Sequence, residues 1–274
     1  MGTKYHYNLQ TFYNEDAISY YLLGAFITDG SVSSTNNRIE LTSIDGDWLI
    51  LINNLICKEK PIAVRYGKYH RICYSSEKIK EWLVGHGCGP KKSLTLDFPK
   101  IPDKYLPDFL RGCWDGDGNF HLSRKYYASN ESNIHVSASI SSGSELFATK
   151  ISKILSDMNI KNKIYVPKIK PRIIKGAVIN SNNKHYNVNV SGFGSICRLI
   201  HFMYYTNDII SMPRKRKITN EIVDYWERKF YCKRCGELMI VGIASRGNAQ
   251  FCDICRPIQK EERRKIKRIE NGLL

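Results

Sequence analysis

The chain has 274 residues, 42% of them hydrophobic, so it can hold one large or two smaller domains with a sizeable core. Lys and Arg number 42 against 26 Asp and Glu, and the formal net charge of +16 indicates a polyanionic partner without separating DNA from RNA. The chain has no apolar run of about 18 residues and no apolar signal segment, so we expect a soluble intracellular protein of the cytoplasm, the nucleoid or an organelle matrix, not a membrane or secreted one.

Residues 22–30, LLGAFITDG, predict a short buried helix that ends in an acid, Asp29. Asn14 is expected to cap its start, and Gly30 is expected to end it in the left-handed conformation that glycine adopts without steric penalty. Gly24 lacks a side chain in the middle of this helix, which suggests that a second helix packs closely there.

Residues 31–91 predict the order strand, strand, helix, strand, strand, helix. Alternation from Arg38 places Arg38, Glu40 and Thr42 on one face of a strand. A helix over 48–56 started by Asp45, a hairpin around Gly67 and a helix over 77–84 complete the unit.

Residues 110–118, LRGCWDGDG, repeat the first motif in the same register, with Gly112, Asp117 and Gly118 in place of Gly24, Asp29 and Gly30. An acid at the negative end of a helix dipole is unfavourable, and two parallel helices would also bring the two acids into repulsion. A bound divalent cation would offset both penalties, and oxygen ligands favour magnesium. In the alternative interpretation each aspartate only begins a turn.

The second half repeats the predicted order of elements. One strand places His135, Ser137 and Ser139 on one face, and a later strand does the same for Asn187 and Asn189. Ser142 and Glu145 predict a capping box for a helix that runs to Asp157, and a last helix is expected over 195–204. The strand connections at 125–133 and 168–184 are longer than in the first half. Such loops are ordinarily solvated, but next to a basic sheet they could extend the DNA-binding surface.

The two motifs resemble those of LAGLIDADG homing endonucleases in which one chain carries both halves of a pseudo-dimer. The second copy and the preceding KSLTLDFPKIPDKYLPDF carry most of the resemblance, which covers about residues 15–220, whereas the first copy has Ile27 where the motif has its earlier aspartate. The resemblance implies an α+β fold of two αββαββα repeats that form a pseudo-twofold saddle of antiparallel sheets. We expect these repeats at 1–105 and 106–228.

The resemblance also implies an active site. Asp29 and Asp117 would hold Mg²⁺ or Mn²⁺, assisted by the carbonyls of Thr28 and Gly116. One basic residue from each of two clusters, KKS at 91–93 and PRKRK at 213–217, would lie near the metal and stabilise charge on the phosphate. We select Lys92 and Lys215, although a phosphate-contacting or solvent role remains an alternative for each.

The polar sheet faces carry side chains that bond base edges and phosphates, and an antiparallel ribbon fits the major groove. An ordinary solvated face is the alternative. The candidate DNA-binding residues are Arg38, Arg65, Lys68, Arg71, Arg124, Lys125, His135, Lys168, Lys170, Asn187 and Asn189.

Residues 229–274 predict a small zinc ribbon. Two C-x2-C pairs have the spacing of a structural Zn²⁺ site: Cys232 with Cys235, and Cys252 with Cys255. Burial accounts for the other five cysteines. From Met212 onward, 16 basic and 8 acidic residues supply half of the net charge, and 258–269 predicts a basic helix. This tail could grip nucleic acid, stabilise the fold or bind a protein.

Together these patterns predict a monomeric, metal-dependent endonuclease that cuts double-stranded DNA at a long asymmetric target. The first rival is an RNA maturase that binds intron RNA, and the second is a catalytically inactive DNA-binding regulator of the same fold. Neither a Cys or Ser at the N-terminus nor a His-Asn pair at the C-terminus is present, so an intein splicing domain is not expected.

Overall fold

A computed structural model of the chain describes residues 5–126, 132–168, 172–174, 177–179, 184–228, 234 and 255–270. The chain divides into two compact units, residues 1–219 and 220–274. In these described ranges, no helix combines the length and the apolar character that crossing a membrane requires. Division of the first unit into repeats at residue 105 stays a prediction.

The first repeat has the expected order of elements. A four-residue helix, α1 (Gln10–Tyr13), precedes it. Its elements are α2 (Ala17–Thr28), β1 (Gly30–Val32), β2 (Arg38–Ser43), α3 (Gly46–Ile56), β3 (Ala63–Arg65), β4 (Tyr69–Ser75) and α4 (Glu77–Gly85). The four strands form an antiparallel sheet in the order β1-β2-β4-β3, called sheet 1 below.

The second repeat follows two short 3-10 turns. Its elements are α5 (Leu106–Asp117), β5 (Gly118–Tyr126), β6 (Ser132–Ser142), α6 (Glu145–Asp157), β7 (Asn162–Tyr165), β8 (Arg172–Ile174), β9 (Ala177–Ile179), β10 (Tyr186–Val190) and α7 (Phe193–Met203). Sheet 2 has the antiparallel order β5-β6-β10-β7. Two further helices follow, α8 (Pro213–Arg228) and α9 (Cys255–Glu270). The predicted α+β class with two four-stranded antiparallel sheets is confirmed.

The long connections of the second repeat contain more regular structure than the sequence suggested. The described residues at both ends of the first one, 125–126 and 132–133, belong to β5 and β6, which pair from Gly118↔Ile140 to Tyr126↔Ser132. The second one contains the hairpin of β8 and β9, so part of it is strand and not loop. Cross-strand hydrogen bonds satisfy the backbone groups there.

The core lies on one side of each sheet because successive strand residues point to opposite faces. In sheet 1, Ile39 and Leu41 pair with Tyr74 and Ile72, and all four are completely buried. Sheet 2 buries Phe120, Ala138, Ile140 and Val188 in the same way. The opposite faces, with the polar residues predicted to bind DNA, are therefore left uncovered by this core.

Two predicted helix caps were wrong. Asn14 ends α1, and the cap of α2 is Asp16, whose Oδ1 accepts from the backbone N–H groups of Ile18 and Ser19 at 2.9 and 3.0 Å. The cap of α6 is Ser144, whose Oγ accepts from the Phe147 N–H at 3.4 Å. In both places a second residue able to cap lies two positions further along the chain, and the start of the helix selects it.

The motif helices α2 and α5 pack backbone against backbone. A Cβ atom added to Gly24 would lie 2.3 Å from the Phe109 carbonyl oxygen, and one added to Gly112 would lie 2.1 Å from the Tyr21 carbonyl oxygen. Such distances are far below van der Waals contact, so only glycine fits either position. The close packing predicted from these two glycines is confirmed.

Gly30 and Gly118 are required for a reason that differs from the prediction. Neither has a positive φ, so neither is a left-handed helix cap, and each begins a strand. A Cβ at Gly30 would lie 2.5 Å from the Phe26 carbonyl oxygen, and one at Gly118 would lie 2.6 Å from Trp114 Cα. Each strand leaves its helix so abruptly that a side chain would collide with the last helical turn.

Gly112→Ala should destabilise the fold by about 3 kcal/mol or more, because two helix backbones would have to move apart. Gly85→Ala is the matched control, since Gly85 ends α4 with no atom within 4 Å of an added Cβ. It should change stability by less than about 1 kcal/mol. Urea denaturation of both variants measures the difference, and equal effects would contradict the proposed packing.

Candidate active site

The carboxyl ends of α2 and α5 lie together, and each carries an acid. Asp29 immediately follows α2, and Asp117 is the last residue of α5. A Cβ on Gly116 would lie 2.0 Å from Thr28 Oγ1 and 3.6 Å from the Asp29 carboxyl carbon. The glycine before Asp117 thus allows the two acidic helix ends to approach each other.

The environment of both acids disfavours their charged form. Burial, followed by the negative charge of Asp117, raises the pKa of Asp29 to about 7, against the opposing effect of Lys215 and Lys92. Asp117 is more open to solvent, but partial removal from water still raises its pKa, and the same two lysines again oppose the change. The site thus holds two acids whose full ionisation needs more positive charge than the two lysines supply.

Lys92 and Lys215 are both buried and lie beside the helix ends. Lys92 Nζ donates to the Gly30 carbonyl at 2.5 Å. Lys215 Nζ donates to the carbonyls of Trp114, Asp115 and Gly116 at 2.7, 2.6 and 2.9 Å. All three ammonium protons of Lys215 therefore bind the last turn of α5, where a cation complements the helix dipole.

Burial also affects Lys215 itself. It lowers the pKa of this ammonium to about 8, while the negative charges of Asp115 and Asp29 act in the opposite direction. Lys215 is consequently still mainly protonated at neutral pH. Its distance from bulk water makes the charge effective on the neighbouring carboxylates.

The two predicted carbonyl ligands have different surroundings. The Gly116 carbonyl accepts from Lys215, so that hydrogen bond competes with its predicted role toward a metal. At Thr28 the side-chain hydroxyl, in contrast, donates to the Gly24 carbonyl of the same helix at 2.9 Å.

A cavity of about 350 Å³ is lined by Asp29 and by the two glycines that flank Asp117, and it reaches the polar faces of both sheets. Thr42 and Tyr69 contribute from sheet 1, and Asn119 contributes from sheet 2. The remaining lining residues are Ser43, Ile44, Asp45, Met212, Arg214 and Lys215. The candidate active site is therefore continuous with the surface predicted to bind DNA.

One wall of this cavity is an ion pair between the two repeats. Arg214 Nε and Nη2 donate to the two carboxylate oxygens of Asp45 at 2.8 and 2.9 Å. These hydrogen bonds hold the pKa of Asp45 below its usual value. The sequence predicted only that Asp45 starts a helix. The Asp45 side chain makes no capping hydrogen bond and binds Arg214 instead.

A buried hydrogen-bond network surrounds Asp115, the earlier acid of the second motif. Asp115 is fully buried and accepts from the Tyr21 hydroxyl, the Tyr204 hydroxyl and the Met212 N–H at 2.8, 3.2 and 2.8 Å. Trp48 Nε1 in turn donates to the Tyr21 oxygen at 2.7 Å. Burial raises the pKa of Asp115, and the hydrogen bond from Tyr21 opposes this effect. The network fixes the backbone that leads into α8 and thereby the position of Lys215.

Sequence reasoning missed Asp115, Arg214 and Asn119 at this site. Their signals were present, because Asp115 belongs to the DGD of the second motif, Arg214 precedes Lys215, and Asn119 follows Gly118. Nothing in the chain itself pairs Asp115 with Tyr21 or Arg214 with Asp45 across such sequence separations.

The polar face of sheet 1 carries charges of both signs. Arg38 and Arg71 each form an ion pair with Glu40, which lies between them. Arg65 is exposed on the same face, and Lys68 is exposed in the β3–β4 turn. All four basic residues predicted for this sheet thus lie at the expected surface, and Glu40 partly neutralises two of them.

The polar face of sheet 2 differs in having no acid at its described positions. Ser139 pairs with Asn119 on one side and Asn189 on the other, and His135 and Asn189 are exposed. Ser141 Oγ donates to the Asn187 side-chain oxygen at 2.7 Å. The face consists mainly of Ser, Asn and His, so the two sheets offer different groups to a ligand.

The other predicted site residues fall partly outside the described structure. Lys168 is exposed after β7, whereas Lys170 and the side chains of Arg124 and Lys125 lie outside the described residues. Cys232, Cys235 and Cys252 also lie outside them, and Cys255 is buried at the start of α9. Over the described positions, no group of three or more His, Cys, Asp or Glu residues forms a metal cluster. No third such residue joins Asp29 and Asp117 there.

One family model matches part of the chain. Residues 105–189 match the family model of the LAGLIDADG-like domain. No curated protein matches the sequence.

Among solved structures, the I-LtrWI LAGLIDADG homing endonuclease bound to target DNA shares 12% identity at a TM-score of 0.47, over 81% of this chain and 93% of that chain. The LAGLIDADG meganuclease I-AabMI bound to uncleaved DNA shares 13% at 0.47, over 76% and 92%. I-SmaMI bound to an uncleaved DNA target in the presence of calcium ions shares 13% at 0.43, over 75% and 95%. At such identities and TM-scores, these likenesses carry no weight for activity or metal.

Stability in divalent-free buffer should report the raised pKa of Asp29. The folded state holds its proton at pH values where the unfolded chain has lost it, so this contribution to stability is greatest below about pH 4 and disappears as pH rises to about 7. Asp29→Asn should therefore gain stability relative to wild type over this range, by on the order of 2 kcal/mol after allowance for water access.

Urea denaturation in EDTA between pH 4 and 8 measures this difference. Asp157→Asn, at an exposed acid of α6, is the control and should follow the wild type at every pH. A constant difference between Asp29→Asn and wild type across the range would contradict the raised pKa.

Proposed function

We propose that this chain is a site-specific endonuclease that hydrolyses phosphodiester bonds of double-stranded DNA. The observation that carries the proposal is the pair of acids at the ends of α2 and α5, beside a cavity that reaches the polar faces of both sheets. The LAGLIDADG-like domain over 105–189 and the net charge of +16 support the same proposal.

The acidic pair suits a divalent metal ion. Burial and mutual repulsion disfavour the ionised form of Asp29, and a hard cation bound by carboxylate oxygens would relieve both. Asp29 and Asp117 would hold Mg²⁺ or Mn²⁺, with the Thr28 carbonyl adjacent and the Gly116 carbonyl shared with Lys215. When bound, such a metal supplies an activated water and stabilises the leaving oxygen.

Lys92 and Lys215 act electrostatically in this proposal. Lys215 has no ammonium proton left for a phosphate, because all three bind the end of α5. Both lysines instead oppose protonation of Asp29 and Asp117, which keeps the carboxylates available as ligands. They also place fixed positive charge where the phosphate acquires negative charge in the transition state.

The polar faces of sheets 1 and 2 would bind the duplex. Arg and Lys side chains contact phosphates and guanine, and Asn contacts adenine, so the residues on these faces can both position and read DNA. Among the described positions, only the polar face of sheet 1 carries an acid, Glu40. Ser, Asn and His dominate the polar face of sheet 2. A monomer with two different faces would recognise an asymmetric target.

Cleavage should depend on both acids. With Mg²⁺, the wild type should enrich cleaved sequences from a randomised duplex library, whereas Asp29→Asn and Asp117→Asn should lose more than about 100-fold in rate because a metal-ligand oxygen is replaced. Both variants should still bind the selected duplex. Asp157→Asn, an acid-to-amide change at an exposed site on α6, should cut at the wild-type rate.

Two results would overturn this proposal. If the wild type enriches no cleaved sequence but binds particular duplexes from the same library, the chain would belong to the DNA-binding regulators. Absence of any cleaved duplex together with tight binding of a structured intron RNA would instead identify a maturase.

We also propose that Cys232, Cys235, Cys252 and Cys255 bind one structural Zn²⁺ within residues 229–274. The spacing of the two C-x2-C pairs supports this site, and four thiolates give the closed tetrahedral set of a structural zinc. The buried position of Cys255 at the start of α9 agrees with such a role.

Cys232→Ser should lower the zinc content from about one ion per chain to near zero. Cys73→Ser is the control because Cys73 is a half-buried cysteine of β4, outside residues 229–274. The zinc content of this variant should stay unchanged. Elemental analysis of the purified full chain measures both variants. Unchanged zinc in Cys232→Ser, or absence of zinc from the wild type, would remove the ribbon.

A further inference from the structure

Helix α9 has a continuous basic side. Lys260, Arg263, Arg264, Lys267 and Arg268 follow one another at spacings of three and four residues or lie next to each other, so they share one side of the helix. All five are exposed. Glu261 borders this side, and its contact with Arg264 is a long one of 3.8 Å between exposed groups, which is of little energetic weight.

The opposite side of α9 contacts the rest of its own unit at Cys255 and Glu262, whereas its three isoleucines are exposed. Cys255, Ile258, Glu262, Ile266 and Ile269 follow the same helical spacing on that side. Cys255 is buried, and Arg234 Nη1 and Nη2 donate to the two Glu262 carboxylate oxygens at 2.7 and 2.9 Å. These contacts orient the helix and leave its basic side open to solvent.

We propose that the basic side of α9 binds the phosphate backbone of duplex DNA. This inference rests on the proposed function for its choice of DNA as the polyanion. The five cations extend over about 12 Å of helix, a span comparable with several phosphates of one strand. This side carries no Asn or Gln, so the contact adds affinity without reading sequence.

A lipid surface fits this helix less well than DNA. Helices that lie on membranes bury a broad apolar side, commonly with Trp, Phe or Leu. The apolar side of α9 has three isoleucines and no aromatic residue, and the ion-paired Glu262 lies in its middle. The cations are thus the recognition groups, and the isoleucines are not.

The test replaces Lys260, Arg264, Lys267 and Arg268 with Gln in the full-length, zinc-loaded protein. The matched control replaces four exposed lysines outside the two polar faces, Lys58, Lys78, Lys150 and Lys153, with Gln and so loses the same charge. Binding to a non-cognate duplex is measured as a function of NaCl concentration, so cleavage does not enter. Circular dichroism verifies that both variants are folded.

In the α9 variant, the slope of log affinity against log salt should become shallower by about 2 to 4, since each phosphate contact contributes about 0.9. Affinity at low salt should fall by about 10-fold or more, and the control should change the slope by less than about 1. Exchange of Lys for Arg and Arg for Lys at the same four positions should preserve the wild-type slope. Equal slopes for wild type and the α9 variant would overturn the proposal.

Vesicles of phosphatidylcholine and phosphatidylserine separate the lipid alternative. Loss of vesicle binding by the α9 variant, combined with an unchanged slope on DNA, would assign the helix to a membrane and overturn the inference. Failure of the proposed function has a different signature. In that case no library member is cleaved, while the change in slope caused by the α9 substitutions persists.

Discussion

Direct contact between the backbones of α2 and α5 sets the arrangement of the first unit. Gly24 and Gly112 each lie where a side chain would collide with a carbonyl of the other helix. Two helices in contact at this point have little freedom to slide past each other. This contact therefore places together their carboxyl ends, the two acids and the strands that follow. The cavity and both polar faces follow from this crossing.

This placement concentrates charge in a poorly solvated space, and the protein balances it with groups from distant parts of the chain. Lys92 follows α4, and Lys215 lies in the first turn of α8, yet both reach the ends of the motif helices. The Asp45–Arg214 ion pair and the hydrogen bonds to Asp115 hold the start of α8 in position. The lysines can therefore act at a fixed place rather than as flexible surface cations.

The sequence was sufficient for the features that local rules determine. Hydrophobic alternation and repeated glycines predicted the order of elements, the helix crossing and the polar faces. It was insufficient where tertiary contacts choose between local alternatives, as at the caps Asn14 and Asp16. It also assigned Gly30 and Gly118 to left-handed caps, because a collision with the preceding helical turn is visible only in three dimensions.

The hydrogen bond between Tyr21 and Asp115 makes the two halves of the molecule interdependent. At the equivalent positions of the other repeat, the counterpart of Tyr21 is Phe109 and the counterpart of Asp115 is Ile27. Two copies of the first half would bury a hydroxyl with no acceptor, and two copies of the second would bury an acid without its tyrosine donor. If the halves descend from one duplicated ancestor, neither half could now form a homodimer of single repeats without burying one of these unpaired polar groups.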